Sequence, residues 1–422
     1  MRMETIMAVN RRAMLSVVVL VLLGVFVGIG FWYESRKVAP SQAQVSAPIA
    51  VTNGDDRGAG SLREALFIAA AAKDRSTISI NVPKITLATA LPPIVNAQGV
   101  SLVAAQPNAE IDATDLPSGP VLDVASANVS IEGLRIRNGK EAGILLRGGQ
   151  FRLVSTTIQA CDVGIDIADN ATEILLEQNR FADNRVGVRF AGSNKNISVL
   201  KNEFAAHRDA GIWAVRGAAD SRREPISIRD NRFTRERIGV LAANVAVILE
   251  RNEFLDAREA AVQLMGSGAV VRGNRISAGG SMGILAENSR GIVIENNEID
   301  GVTAYGIMLK TSADAVLQGN RVHSSGYGLA FVLGTSPSTA IDNTIIEPKG
   351  SGIDVIGDSP VLRNNNVVRP RALALKVADF RSPEGITVRS QPFLEGNNFD
   401  AKGIIVAARD APPATNKDAV RR

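Results

Sequence analysis

Gly291-Ile292-Val293-Ile294-Glu295-Asn296-Asn297-Glu298-Ile299, then a Gly/Thr/Tyr loop, then Gly306-Ile307-Met308-Leu309, is one turn of a repeat. Alternation of period two sends Ile292, Ile294, Ile299, Ile307 and Leu309 to one side, which must be the interior. The phrase recurs with its anchor at Leu134, Thr156, Asn179, Asn202, Asn231, Asn252, Asn274, Asn297, Asn320, Asn343, Asn365 and Asn397. Most steps are 21–23 residues, with longer ones only before Asn231 and Asn397. A fixed period built from strands is the mark of a solenoid. Leucine-rich repeats share the period, but their leucine consensus is absent. The expectation is therefore an all-β chain, a right-handed parallel β-helix of about 12 coils.

Stacking equivalent positions gives columns. Two places after the anchor stand Phe181, Phe204, Phe233 and Phe254, then Ile276, Ile299, Val322 and Ile345. Consecutive phenylalanines can stack at the ~4.8 Å spacing of neighbouring strands. Each Asn sits at a bend, where its amide can donate to one coil and accept from the other. One place after the anchor the charges alternate without a break: Arg180, Glu203, Arg232, Glu253, Arg275, Glu298, Arg321. A shorter ladder, Glu250, Arg272, Glu295, lies two places before it. Alternation turns each stacking step into an attraction, so these are solvated structural faces.

The chain has 422 residues, with 47 Lys plus Arg against 43 Asp plus Glu and only 4% aromatics. Alternating charge predicts no basic stripe, and nucleic acid is not an expected partner. The single cysteine, Cys161, reads as a loop residue; no metal-ligand spacing and no cofactor motif is found. Residues 1–13 carry Arg2, Arg11 and Arg12, and Met14–Tyr33 is uncharged, apolar and long enough to span a bilayer. Those arginines keep the amino terminus in the cytoplasm, so the rest is expected to lie in the periplasm, held to the inner membrane by one helix. The alternative is a cleaved signal with a secreted product, since Ser41-Gln42-Ala43 and Ser46-Ala47 suit cleavage. Residues 34–49 read as a flexible linker, 50–119 as an amino-terminal cap, 120–408 as the β-helix and 409–422 as a disordered tail.

The cap contains Gly58-Ala59-Gly60-Ser61-Leu62-Arg63-Glu64-Ala65, a capping box in which Ser61 opens a helix and Glu64 follows three residues on. Leu62, Ala65, Leu66 and Ala69 supply its apolar face. With Leu91-Pro92-Pro93-Ile94, this resembles the amino-terminal region of bacterial exported right-handed β-helix proteins. The repeats resemble the "carbohydrate-binding and sugar hydrolysis" class, pectate lyase-like and NosD-like. The resemblance covers residues 50 to about 408. It implies a polysaccharide as partner, with lyases, hydrolases, uronate epimerases, adhesins and non-catalytic proteins among the relatives.

In that class, substrate lies along the outward face of the strand after the Gly. Two places after it stand Leu145, Asp166, Arg189, Trp213, Leu241, Gln263, Leu285, Met308, Ala330 and Asp354. Four places after it stand Arg147, Ala168, Ala191, Val215, Ala243, Met265, Glu287, Lys310, Val332 and Ile356. Leu241, Met265, Leu285, Met308 and Val332 form an aliphatic stripe, the expected seat of a protein partner, a second copy or the chain's own cover. Asp166, Arg189 and Trp213, with Arg147 nearby, form a polar island suited to sugar binding. The candidate catalytic group is Tyr305, Lys310, His323 and Tyr327, which at one edge could move a proton beside a uronate carboxylate. Asp300–His323 and Glu287–Lys310 pairs are the plain structural alternative, and His207 has no evident partner. Missing are the Asp-Pro-His-Asp motif of mannuronan epimerases, the paired aspartates and Gly-His-Gly of polygalacturonases, and an acidic cluster for calcium. The leading expectation is an accessory polysaccharide-binding protein. The alternatives are a scaffold or adhesin-like protein, and a polysaccharide lyase or uronate C5-epimerase.

Overall fold

The structure, a computed structural model, describes residues 47–215, 224–334, 336–400 and the backbone of 404–406. The spans 1–13, 14–33 and 409–422, and nearly all of 34–49, lie outside these residues. Among the described residues no helix is long and apolar enough to cross a membrane.

Three parallel sheets of 15, 14 and 13 strands run the length of the described chain, here called sheets 1, 2 and 3. Each coil contributes one strand to each sheet in turn. Around Asn297 these are Val293–Glu295, Glu298–Asp300 and Tyr305–Lys310. Ile292, Ile294, Ile299, Ile307 and Leu309 are all buried, as period-two alternation requires. The solenoid has about 13 turns and begins earlier than the repeat count implies. Strands Ile49–Val51, Ser76–Ile80 and Val100–Ala104 continue sheet 1 in register, so residues 50–119 add coils as well as a helix. Those coils lack Asn at the bend, and only the alternation Ser76-Thr77-Ile78-Ser79-Ile80 betrays them.

The one helix among the described residues spans Leu62–Ala71 and buries Leu62, Ala65, Leu66 and Ala69. Ser61 Oγ accepts from Glu64 N, and Glu64 Oε2 accepts from Gly60 N at 2.6 Å, closing the capping box. At the other end Asn96 Nδ2 donates to Ala69 O at 2.8 Å. Arg63 bonds Asp56 at 2.8 Å and the carbonyls of Thr89 and Ala90, tying the helix to the loops beside it.

Phe181, Phe204, Phe233 and Phe254 stack with centroids 5.1, 4.7 and 4.7 Å apart. The anchor amides form a continuous chain. Asn252 Nδ2, for example, donates to Asn274 Oδ1 at 3.0 Å and Ile228 O at 2.9 Å, while its Oδ1 accepts from Asn231 N and Nδ2, each at 3.0 Å. Both charge ladders are in register, with Arg180–Glu203 at 2.7 Å and Arg272–Glu295 at 3.1 Å.

Three expectations change. Cys161 is not a loop thiol: it is buried at the bend between sheets 2 and 3, its N–H donates to Asn184 Oδ1 at 2.8 Å, and burial pushes its thiol up to about 12. His207 has two partners, both on adjacent coils. Its Nδ1 lies 2.9 Å from Glu236 Oε1 and its Nε2 3.2 Å from Asn184 Nδ2. Cys161, Asn184, His207 and Glu236 thus form a second buried ladder, five residues after the anchor in successive coils. Charge alternation also fails at this corner: Arg185, Arg208, Arg237 and Arg258 all stand six residues after their anchors, in four consecutive coils.

Candidate functional site

The outer face of sheet 3 carries its side chains in the expected column. Leu145, Asp166, Arg189, Trp213, Leu241, Gln263, Leu285, Met308, Ala330 and Asp354 are register partners in unbroken succession. Parallel pairing without bulges holds equivalent positions ~4.8 Å apart along the axis.

At the amino-terminal part of this face lies a hollow of about 250 Å3 lined by Lys140, Glu141, Leu145, Asp162, Asp166 and Arg189. Arg189 forks onto Asp166, with Nε 2.7 Å from Oδ1. Arg185 holds Asp162 through two bonds of 2.8 and 2.9 Å and reaches Asp209 at 2.9 Å. The Arg185 guanidinium keeps the Asp162 carboxyl below the usual range, so it stays ionised as an acceptor. Trp213, next to Arg189 in register, is half-buried against Ala142, Val163 and Val186. Apolar ring, ionised acceptors and fixed guanidinium donors therefore meet along one strip of about four coils. Arg147 does not line this hollow. It pairs instead with Asp123 of the preceding coil.

The catalytic quartet is only half assembled. Tyr305 and Tyr327 stack with centroids 4.7 Å apart. Lys310 ends the strand that Tyr305 begins, five residues or roughly 16 Å along it, and pairs with Glu287 at 3.0 Å. His323 belongs to sheet 2, where Nδ1 is 2.9 Å from Asp300 Oδ1 and Nε2 3.8 Å from Glu347. Tyr305 instead meets a residue the sequence had placed on the open face: its hydroxyl donates to Asp354 Oδ2 at 3.0 Å, two coils on. Ala330 and Asp354 occupy outward positions yet are buried, so this end of the face is covered by the chain itself. Burial and the Asp354 charge push the Tyr305 hydroxyl above its ordinary value, the wrong direction for a general base. The aliphatic stripe stays accessible, with Met265 and neighbouring Val215 exposed and Leu241, Leu285, Met308 and Val332 half-buried.

Burial also raises the Asp354 carboxyl above its ordinary value, against the pull of Ser351, Tyr305 and Lys376. A carboxyl raised in the folded state favours folding below its unfolded value and loses that contribution as pH rises through the folded one. Asp354→Asn is therefore expected to gain thermal stability over the parent at pH 7, the difference shrinking towards pH 4. Melting midpoints at the two pH values check it, and a gap that widens in acid counts against it.

The profile described as "Right handed beta helix region" matches residues 106–224 and 218–368. Similar solved structures include the catalytic unit of the GH87 alpha-1,3-glucanase from Streptomyces thermodiastaticus strain HF3-3. It is 15% identical with a TM-score of 0.50, over 84% of this chain and 69% of that one. Another is the A-module of the Azotobacter vinelandii mannuronan C-5 epimerase AlgE4, at 12% identity and a TM-score of 0.50, over 85% of this chain and 98% of that one. No curated protein matches by sequence. Repeat, register and profile agree, and the chain belongs to the right-handed β-helix family.

Proposed function

We propose that this chain is an accessory polysaccharide-binding protein, its rod held in the periplasm by Met14–Tyr33 or released there by cleavage. The carrying observation is the hollow at Asp166 and Arg189 with Trp213 beside it. A partly exposed indole offers a face for a sugar ring, while paired carboxylates and guanidinium groups offer hydroxyls fixed partners. These charges are already committed to one another, which suits recognition and leaves no free acid–base pair. By name, the glucanase and the epimerase with this fold both act on polysaccharides. Binding without turnover is the reading here, because Tyr305, Lys310 and His323 of the catalytic quartet are engaged with Asp354, Glu287 and Asp300. Incubation with alginate, pectate or hyaluronan is expected to yield no unsaturated-product absorbance.

Affinity electrophoresis of the full-length chain through glycan-containing gels tests the reading. Trp213→Ala is expected to weaken retention by about tenfold, in line with ~1–1.5 kcal/mol for an aromatic contact beyond its area. Retention unchanged in this variant, or absent in the parent, counts against it.

A second reading has its own observation: the aliphatic stripe spans two adjacent columns in register, Leu241, Leu285 and Met308 in one, broken by Gln263, and Val215, Ala243 and Met265 in the other, with Val215 and Met265 exposed. It supports docking of a protein partner or a second copy. Replacing Leu241, Leu285 and Met308 by Asp should abolish pull-down of such a partner while leaving glycan retention intact.

A further inference from the structure

Four arginines in one column of four consecutive coils need an explanation, because like charges stacked along a solenoid repel. Two are neutralised. Arg185 is held between Asp162 and Asp209, and Arg237 sits 2.8 Å from Glu259 and 3.9 Å from Asp209. The other two make looser contacts among the described residues. Arg208 approaches Asp162 only at 4.0 Å with 71% of its side chain exposed, and Arg258 donates to a carbonyl, His207 O, at 2.9 Å.

The split follows from spacing. The coils of Asn202 and Asn252 carry one more residue between the anchor and the start of the sheet 3 strand (Ala210, Ala260) than those of Asn179 and Asn231 (Val186, Ile238). That extra residue sets Arg208 and Arg258 back from the strand and towards the corner. There they line a second hollow, of about 640 Å3, together with Arg235 and Asp256. Arg235 has no ion-pair partner among the described residues, although most exposed arginines along this rod lie within 4.0 Å of a carboxylate. The corner is wide because the sheet 2 strands Glu253–Ala257 and Arg275–Gly279 run to five residues, where neighbouring coils have three. Gly279 permits this: its φ of +114 excludes ordinary side chains, and a Cβ there would fall 2.8 Å from Asp256 Cα.

We infer that this corner is a binding site for an acidic saccharide, seated by Arg208, Arg235 and Arg258. Arg235 without a carboxylate partner among the described residues, and Arg208 and Arg258 with donors to spare, can bind an oxyanion through paired N–H donors. Asp256 narrows the choice. A carboxylate inside the hollow repels a dianion and accepts from hydroxyls, so the ligand is a singly charged oxyanion, a carboxylate or sulfate ester, on a hydroxylated ring. A hollow of this size takes one or two sugars. Asp162 lines the first hollow and faces Arg208 of the second, so one chain can run round the corner across both. The saccharide class rests on the glycan-binding reading above; the site itself does not.

The test is calorimetric titration of the full-length chain with trigalacturonate, a sulfated trisaccharide and neutral galactotriose. The double variant Arg208→Gln/Arg235→Gln leaves Arg258, which braces the His207 carbonyl, untouched. It is expected to bind the acidic trisaccharides at least tenfold more weakly and galactotriose as the parent does, with an unchanged melting midpoint. Acidic-sugar binding in the parent should also weaken several-fold as salt rises. Whichever acidic ligand binds more tightly identifies the oxyanion. Loss in Trp213→Ala with none in the arginine variant overturns this inference and leaves the preceding reading standing. Loss only in the arginine variant supports it and sinks the Trp213 site. A single-stranded oligonucleotide that displaces both acidic sugars at lower concentration overturns the saccharide assignment.

Discussion

Asn252→Leu is expected to lower the thermal midpoint of the rod more than any surface change, by an amount equivalent to roughly 4 kcal/mol. Leu matches Asn in volume, so packing changes little. What is lost is pairing. Asn231 N loses its acceptor and Ile228 O its donor, both within the interior, while Asn231 Nδ2 keeps Val199 O and Arg229 O. A buried polar group left alone costs ~1–3 kcal/mol, and two are orphaned at once. Asn397 is the control. It accepts from Asn365 and donates to Leu362 O, but it is only partly buried, so water can replace the lost partners. Asn397→Leu should cost about 1 kcal/mol. Circular dichroism melts of the two variants decide the matter, and equal midpoints would refute the claim that burial sets the cost.

Glu236→Leu should be nearly as severe, at about 3–5 kcal/mol. Its carboxyl oxygens take His207 Nδ1 at 2.9 Å and His207 N at 3.1 Å, in a corner where both side chains are essentially inaccessible. Leu fills the space and satisfies neither group. Glu236→Gln keeps a carbonyl oxygen for one of them and is expected to lose only ~1 kcal/mol. The ordering of midpoints, parent above Gln well above Leu, is the result to look for. A Gln variant as unstable as the Leu variant would mean that charge rather than hydrogen bonding holds the corner.

What could be read in the sequence was whatever repeats. Phe181 to Phe254, the anchor asparagines and the alternating Arg180–Arg321 column each recur once per coil, and stacking adds nothing that the period does not already state. The Ser61 capping box was legible for another reason, since its partners lie three or four residues apart. What escaped was non-periodic and distant. Tyr305 and Asp354 are 49 residues apart and two coils removed, and no alternation reveals that the Tyr305 hydroxyl reaches across the intervening coil to Asp354. His207 and Glu236 share a position with Cys161 and Asn184, but four different residue types in one column hide the column. Arg208 and Arg258 were concealed by a single extra residue in their loops. Lys310 and His323 looked close to the tyrosines because they are close in sequence, yet an extended strand and a sheet corner separate them.

The anchor amides all hand their hydrogen bond on in the same direction, each Nδ2 donating to the Oδ1 of the following coil from Asn179 to Asn397. Aligned dipoles reinforce one another, so the line of amides makes the rod electrically polar, with its donor pole at the carboxy-terminal end. Every handover is also the same handover. Cut out one whole coil, and Asn252 would meet Asn297 as it now meets Asn274, with the apolar columns closing over the join. Nothing in the stacking itself counts coils. Length in such a rod is a free variable, adjustable in whole steps, and only the corners that break the pattern fix where along it a ligand can sit.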